Sequence, residues 1–228
     1  MSKGIFITAT GTDVGKTFVT ALMIKKLRQN GINAGYYKAA LSGAEWLDMQ
    51  LVAVDANHVC KISGMKNEPN SLVSYIYETA VSPHLAAQIE SNPIDMEVLI
   101  SDFEKSKSTF DFITVEGSGG IVCPLRLDEK SIMLTDVIKA LDLDVVIVAS
   151  AELGTINSAV LTVEYAKHHN IAIKGIIVNG YEDDNFLHID NKKQIENLTG
   201  IPILACVPHD ADNLEIDFNV LTSLYKEL

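Results

Sequence analysis

Cysteine is scarce in this sequence: Cys60, Cys123 and Cys206 are the only three among 228 residues. Their odd count, wide separation and apolar neighbours leave no C-x-x-C pair, which argues against a disulfide framework and predicts buried thiols in a reducing compartment. Long apolar runs are missing as well. The longest, around Val145 to Ala149, falls far short of the roughly 18 residues that a membrane span needs. A Gly-rich turn arrives by Gly11, too early for the apolar core of a secretion signal. The expectation is a cytoplasmic protein with no membrane contact. Basic side chains are few, 18 Lys and Arg against 30 Asp and Glu, for a formal net charge of -12. A chain of that sign repels phosphate backbones, so no nucleic-acid partner is expected. No histidine pair has zinc-ligand spacing, and no transition metal is assigned. Repeats, low-complexity segments and Pro/Gly/Ser-rich linkers are absent too.

What is present is an ordinary globular balance, with 47% hydrophobic and 21% charged residues. A chain of this length buries roughly 70% of its unfolded surface, enough for one sizeable core and thin for two. Residues 1–228 are therefore expected to form one domain. Six short runs are apolar throughout rather than alternating: Ile5 to Thr8, Ala34 to Tyr37, Phe112 to Val115, Val145 to Val148, Gly175 to Val178 and Pro202 to Ala205. That is the pattern of strands buried on both faces. Stretches of helical periodicity lie between them. The first runs from Lys16 to Asn30, with Val19, Leu22, Met23 and Leu27 on one face, and later ones fall near 94–107, 134–141, 155–169 and 188–198. The alternation predicts an α/β fold, a doubly wound, mainly parallel sheet with helices on both faces. Residues 42–82 are long for a connection in such a fold, and the acidic run from Glu182 to Asp184 reads as a solvated loop.

The first strand leads into Thr10-Gly11-Thr12-Asp13-Val14-Gly15-Lys16-Thr17, which opens directly into the first helix. This is the strand, Gly-rich loop and helix setting of a P-loop. Loop and helix N–H groups converge on one small volume, and the helix dipole adds to their preference for phosphate. Lys16 adds a point charge, and the Thr17 hydroxyl is placed to ligate magnesium. The loop departs from the general pattern in one respect, with Thr10 where a glycine is usual and the glycine at position 11. Magnesium also needs carboxylates. Glu116 ends the strand Phe112 to Val115 and runs into Gly117-Ser118-Gly119-Gly120, at the edge where open α/β sheets bind ligands. Lys38 ends the second strand at that same edge, where it reads equally as a solvated cation or as a stabiliser of transferring phosphoryl charge. Asp55, taken alone, reads as a surface or capping aspartate.

These segments, together with Ser42-Gly43, Ser82-Pro83-His84, Leu153-Gly154-Thr155-Ile156-Asn157 and Ile177-Val178-Asn179, resemble the dethiobiotin synthetases. The likeness runs in order from residue 4 to about 210. It implies a P-loop NTPase fold and an ATP- and magnesium-dependent ligase that forms dethiobiotin from 7,8-diaminononanoate (7,8-diaminopelargonate) and carbon dioxide, through a carbamate and a carbamic-phosphoric anhydride. It further implies a homodimer. Carried over, Lys16 and Lys38 are catalytic, and Thr17, Asp55 and Glu116 hold the metal. The nucleotide falls to Asp13, Val14, Gly15, Lys16, Thr17, Phe18, Asp55, Glu116, Gly117, Ser118 and Gly119, with Asn179, Gly180 and Pro208 at the base. Thr12 and Ser42 line the diamine pocket. Gly154, Thr155, Ile156 and Asn157 hold the far carboxylate, from the second subunit. Asn179-Gly180 stands where Asn-Asp is usual, and Glu152 where many members have lysine.

A different class, the partitioning and septum-positioning ATPases, belongs to the same superfamily. Those proteins carry an extra lysine near the start of the loop, where this chain has Ala9, Thr10 and Gly11. Membrane-bound members end in a basic amphipathic helix. Here Phe218, Leu221, Leu224, Tyr225 and Leu228 share one helical face with Lys226 as the sole basic residue, so the segment is expected to pack on the core.

Overall fold

The computed structural model describes residues 2–228. Strand β1 (Lys3–Ala9) is buried over its last six residues and feeds helix α1 (Lys16–Gln29). After β2 (Ala34–Ser42) the chain makes a small hairpin of β3 (Glu45–Leu47) and β4 (Gln50–Val52), closed by Asp48 and Met49 with φ of 50° and 62°. Helix α2 (Val54–Ser63), a 3-10 turn (Pro69–Leu72), β5 (Val73–Tyr77) and α3 (Pro83–Ile89) follow. Helix α4 (Met96–Thr109) leads to β6 (Phe112–Glu116), a hairpin of β7 (Pro124–Leu127) and β8 (Ser131–Met133), and α5 (Leu134–Ala140). The remainder alternates regularly through β9 (Val145–Ser150), α6 (Thr155–His168), β10 (Ile173–Asn179), α7 (Phe186–Thr199) and β11 (Ile203–Val207). It closes with α8 (Phe218–Ser223) and β12 (Lys226–Glu227).

Seven strands lie parallel in the order β11-β10-β9-β1-β6-β2-β5. Parallel strands need crossovers, and the intervening helices supply them. Successive strand side chains alternate between faces. Thus Tyr37 reaches the Leu99 carbonyl of α4 at 3.0 Å, whereas Lys38 meets Asp55 of α2, and helices cover both faces as expected. One hydrophobic core runs through all seven parallel strands. Among the described residues no helix is long and apolar enough to cross a membrane.

Four expectations are corrected. Lys38 does not end the second strand, because β2 runs on to Ser42 and pairs with β5 over Lys38 to Ser42. Residues 42–82 are not an irregular connection, because they hold β3, β4, α2 and β5. The segment from Phe218 is helical only to Ser223; Lys226 and Glu227 instead pair antiparallel with Gly4 and Lys3 of β1. That pairing meets the N–H and C=O groups that β9, which joins β1 only from Phe6 onward, leaves open. Leu221, Leu224 and Tyr225 still bury against the core, and the Tyr225 hydroxyl lies 2.7 Å from Thr114 Oγ1. Lastly, Cys60 and Cys123 are buried, but Cys206 is half-exposed.

Candidate functional site

Three parallel neighbours, β1, β6 and β2, deliver their C-terminal ends to one edge. The turn before α1 places Gly15 at φ 89°, a left-handed conformation that glycine adopts without strain. A Cβ there would also collide with the Asn179 side chain. Lys16 is 8% exposed and folds over the loop, its Nζ donating to the Gly11 carbonyl at 3.3 Å. Burial, and then the nearby Lys38 charge, push its pKa down.

The β2–β6 register sets Lys38 directly beside Glu116, and both side chains are almost fully buried. Lys38 Nζ stands 2.7 Å from Glu116 Oε1 and 2.5 Å from Asp55 Oδ2. Burial alone would lower the lysine pKa; the Glu116 and Asp55 carboxylates outweigh it and hold the ammonium charged well beyond its usual range. Asp55 lies in the first turn of α2, where a carboxylate suits the helix dipole. Burial works to raise its pKa, and Lys38 reverses the sign and holds it low. The Thr17 hydroxyl donates to Glu116 Oε1 at 2.9 Å, and the Tyr36 hydroxyl to Glu116 Oε2 at 3.1 Å.

A cavity of about 610 Å³ opens over this cluster; its lining brings together Thr12, Asp13, Gly15, Lys16, Thr17, Phe18, Lys38, Ser42, Asp55, Glu116, Ser118 and Gly119 with Ala40, Leu41, Val54 and His58. A second, of about 670 Å³, shares Thr12, Asp13, Ser42, Ser118 and Gly119 and extends past Ser82, Pro83 and Cys123. Desolvation pushes the Cys123 thiol up to about 11, so it stays protonated. Asn179 reaches the P-loop from the end of β10, its Nδ2 donating to the Val14 carbonyl at 3.2 Å, while its buried Oδ1 has no partner. His209, next to Pro208, sets its ring against Gly180.

Not every expected residue lines these cavities. Gly117 packs inward, with room for a Cβ blocked by Phe6 and Leu134, and its N–H donates to the Ile7 carbonyl. Its part is to let the loop after β6 close on β1. Gly154, Thr155, Ile156 and Asn157 start α6 at the same sheet edge but touch neither cavity. His58 and Tyr36 had no assigned role. Both were findable, His58 one helical turn after Asp55 and Tyr36 two strand positions before Lys38.

Thr17, Asp55 and Glu116 present oxygens only, a donor set suited to a hard divalent cation such as magnesium. Asn179 lines neither cavity. A buried lysine between two carboxylates, under a phosphate-binding loop at a parallel sheet edge, defines a P-loop NTPase.

Comparison with known proteins narrows the class. A family model described as an AAA domain matches residues 3–214. The protein named ATP-dependent dethiobiotin synthetase BioD from Clostridium botulinum strain Okra is 52% identical over 228 residues, the whole of both chains. Its counterparts from strains Loch Maree and Eklund 17B are 50% and 48% identical, covering 100% and 99% of each chain. Among solved structures, a ParA family ATPase from Chlorobium tepidum gives a TM-score of 0.58 at 18% identity, over 92% of this chain and 85% of that one. The MinC:MinD cell division complex of Aquifex aeolicus gives 0.57 at 18% identity, over 92% and 82%. At that identity the partitioning and septum-site proteins share the fold alone. The chain belongs to the ATP-dependent dethiobiotin synthetase family of ligases.

Proposed function

We propose that residues 1–228 work as one ligase unit that converts 7,8-diaminononanoate, carbon dioxide and ATP into dethiobiotin, ADP and phosphate. The observation that carries this reading is the buried Lys38, paired with Asp55 and Glu116 and facing Lys16 across one cavity. One substrate amine attacks carbon dioxide and loses a proton to give a carbamate. A carbamate oxygen then attacks the γ-phosphorus and breaks its bond to the β–γ bridging oxygen, releasing ADP. The second amine attacks the carbonyl of the resulting anhydride and expels phosphate, closing the ring.

Lys16, with the N–H groups from Asp13 to Phe18, binds the triphosphate, and Lys38 steadies the carbamate and the migrating phosphoryl group. Thr17, Asp55 and Glu116 would hold magnesium, which supplies charge neutralisation at the phosphates when bound. This need is acute because Lys16 and Lys38 are already balanced by Asp55 and Glu116. Ser118 and Gly119 frame the phosphate side, while Gly117 shapes their loop. Thr12 and Ser42 line the route from the first cavity to the second, which suits the diamine. Asn179 accepts from the adenine amino group, beside Gly180 and Pro208.

The helix start at Gly154, Thr155, Ile156 and Asn157 presents its N-terminal dipole and N–H groups to the substrate carboxylate, although the Thr155 N–H is already shared with the Glu152 carbonyl at 3.2 Å. It lies outside the chain's own cavities, and Leu153 and Phe186 beside the starts of α6 and α7 are 85% and 86% exposed. Both facts favour a homodimer in which each copy completes the other's site. The free cysteines suit the cytoplasm. The test is to incubate purified protein with the diamine, bicarbonate, ATP and magnesium. Dethiobiotin and ADP in equal amounts are expected, and ADP without dethiobiotin would overturn the reading.

A further inference from the structure

Glu116 receives a contact that none of the phosphate or metal motifs requires. Tyr36 stands two residues before Lys38 on β2, so strand alternation puts both side chains on one face. The parallel register pairs Tyr36 with Thr114 and Lys38 with Glu116. Across that diagonal the Tyr36 hydroxyl donates to Glu116 Oε2 at 3.1 Å. Oε1 takes the other two donors, the Lys38 ammonium at 2.7 Å and the Thr17 hydroxyl at 2.9 Å. The two carboxylate oxygens are thereby given separate duties. Tyr36 is fully buried, and burial followed by the Glu116 charge keeps its hydroxyl protonated. Its neighbour Tyr37 points through the opposite face to Ser74 and the Leu99 carbonyl and cannot substitute.

We infer that Tyr36 is a positioning residue for the ligase: its hydroxyl holds Glu116 Oε2 and fixes the carboxylate plane, so that Oε1 alone faces Lys38, Thr17 and a divalent cation. The terminal torsion of a glutamate is broad and weakly defined by itself. In a buried site a single donor on the far oxygen sets it. The role in turnover rests on the proposed reaction, whereas the role in presenting Oε1 does not.

Tyr36→Phe removes one oxygen and keeps the ring. With ADP bound, the affinity of the variant for manganese, read by titration calorimetry, should weaken about tenfold, close to the value of one charge-assisted hydrogen bond. The kcat should fall about tenfold with the diamine KM within about twofold of wild type. A lowered melting temperature with unchanged manganese affinity and kcat would make the contact merely structural and overturn the inference. In a Glu116→Gln background, Tyr36→Phe should cost no further manganese affinity, and an undiminished additional loss would also overturn it. A measurement on the wild type covers a variant that does not fold. With ring-labelled tyrosine, the Tyr36 phenol carbon signal should shift when manganese's diamagnetic counterpart, magnesium, is added to the ADP complex, and an unmoved signal counts against the idea. Should the wild type make no dethiobiotin, the proposed reaction fails while the cation-affinity measurement still decides the role of Tyr36.

Discussion

The side-chain amide of Asn179 occupies the space that a Cβ on Gly15 would need. The end of β10 and the turn of the P-loop are thus fitted to each other, with the Asn179 Nδ2 to Val14 carbonyl bond as the link. The residue proposed to recognise the base thereby also braces the P-loop turn.

Gly15→Ala is accordingly expected to damage both. The substitution forces a left-handed backbone on alanine at a cost of about 1–3 kcal/mol, and it displaces Asn179. ATP affinity should drop about 100-fold, equivalent to about 2.8 kcal/mol. Fluorescent-nucleotide titration beside a thermal melt checks this, and normal binding would show that the loop tolerates the clash.

Asn179→Ala separates the two roles. Losing Oδ1 should raise the ATP KM about tenfold, as expected for a hydrogen bond worth about 1.5 kcal/mol, and should erode any preference for ATP over GTP. KM values for both nucleotides, measured with the diamine present, provide the comparison. Unchanged discrimination would place base selection elsewhere.

Lys38→Met leaves Asp55 and Glu116 without their buried cation. Removing one partner of such a pair costs about 3–5 kcal/mol, and turnover should fall at least about 100-fold because the lost charge acts on the transition state. Burial tends to raise the Asp55 pKa, and Lys38 outweighs it. With its folded value lowered, Asp55 contributes stability above its unfolded pKa of about 3.9 and gives that up as pH falls through the folded value. Urea midpoints followed from pH 6 to pH 2 should therefore decline in the wild type below about pH 4 and decline less in Lys38→Met. Parallel curves would contradict the assignment.

Thr17→Val removes a hydroxyl that now rests on Glu116. The expected result is a rise in the magnesium concentration needed for half-maximal turnover and a kcat loss of about 100-fold, comparable with losing one transition-state donor. Thr17→Ser should recover most of both. Excess chelator should stop the wild type altogether.

Leu153→Asp tests the shared site. Sedimentation should show monomers, and the diamine KM should rise about tenfold, or about 1.4 kcal/mol, while the ATP KM stays level. A dimer that persists with normal kinetics would remove this face from the interface.

Much of this arrangement is legible in the sequence because burial and motif spacing are local signals. The runs of β1, β6, β9 and β10 are apolar on both faces, so their strands and a parallel sheet are readable, with Lys16 at the helix start and Glu116 at a strand end; Lys38 is misplaced at a strand end because Ala39, Ala40 and Leu41 carry β2 on to Ser42. Asp55 resists such reading because α2 has Ala53 at its N-cap, without a side-chain cap, and follows a hairpin of two three-residue strands too short for periodicity. β5 hides in the same stretch. The pairing of β12 with β1 joins residues 3 and 227, a separation over which no window of sequence carries information. Tyr36 is plain within its motif, yet its role emerges only when the β2–β6 register sets it across from Thr114 and so diagonal to Glu116.

The sheet order has an evolutionary consequence. Every charged side chain of the reaction centre comes from β1 and its helix, or from the flank containing β6, β2 and α2, whereas the proposed base and carboxylate contacts come from β9, β10 and β11 on the other flank. Variation at the α6 start can therefore retune which molecules are held, whereas Asn179 is tied to the charged side through the P-loop. The charged side offers far fewer neutral steps, and descendants of a common ancestor should diverge unevenly across β1.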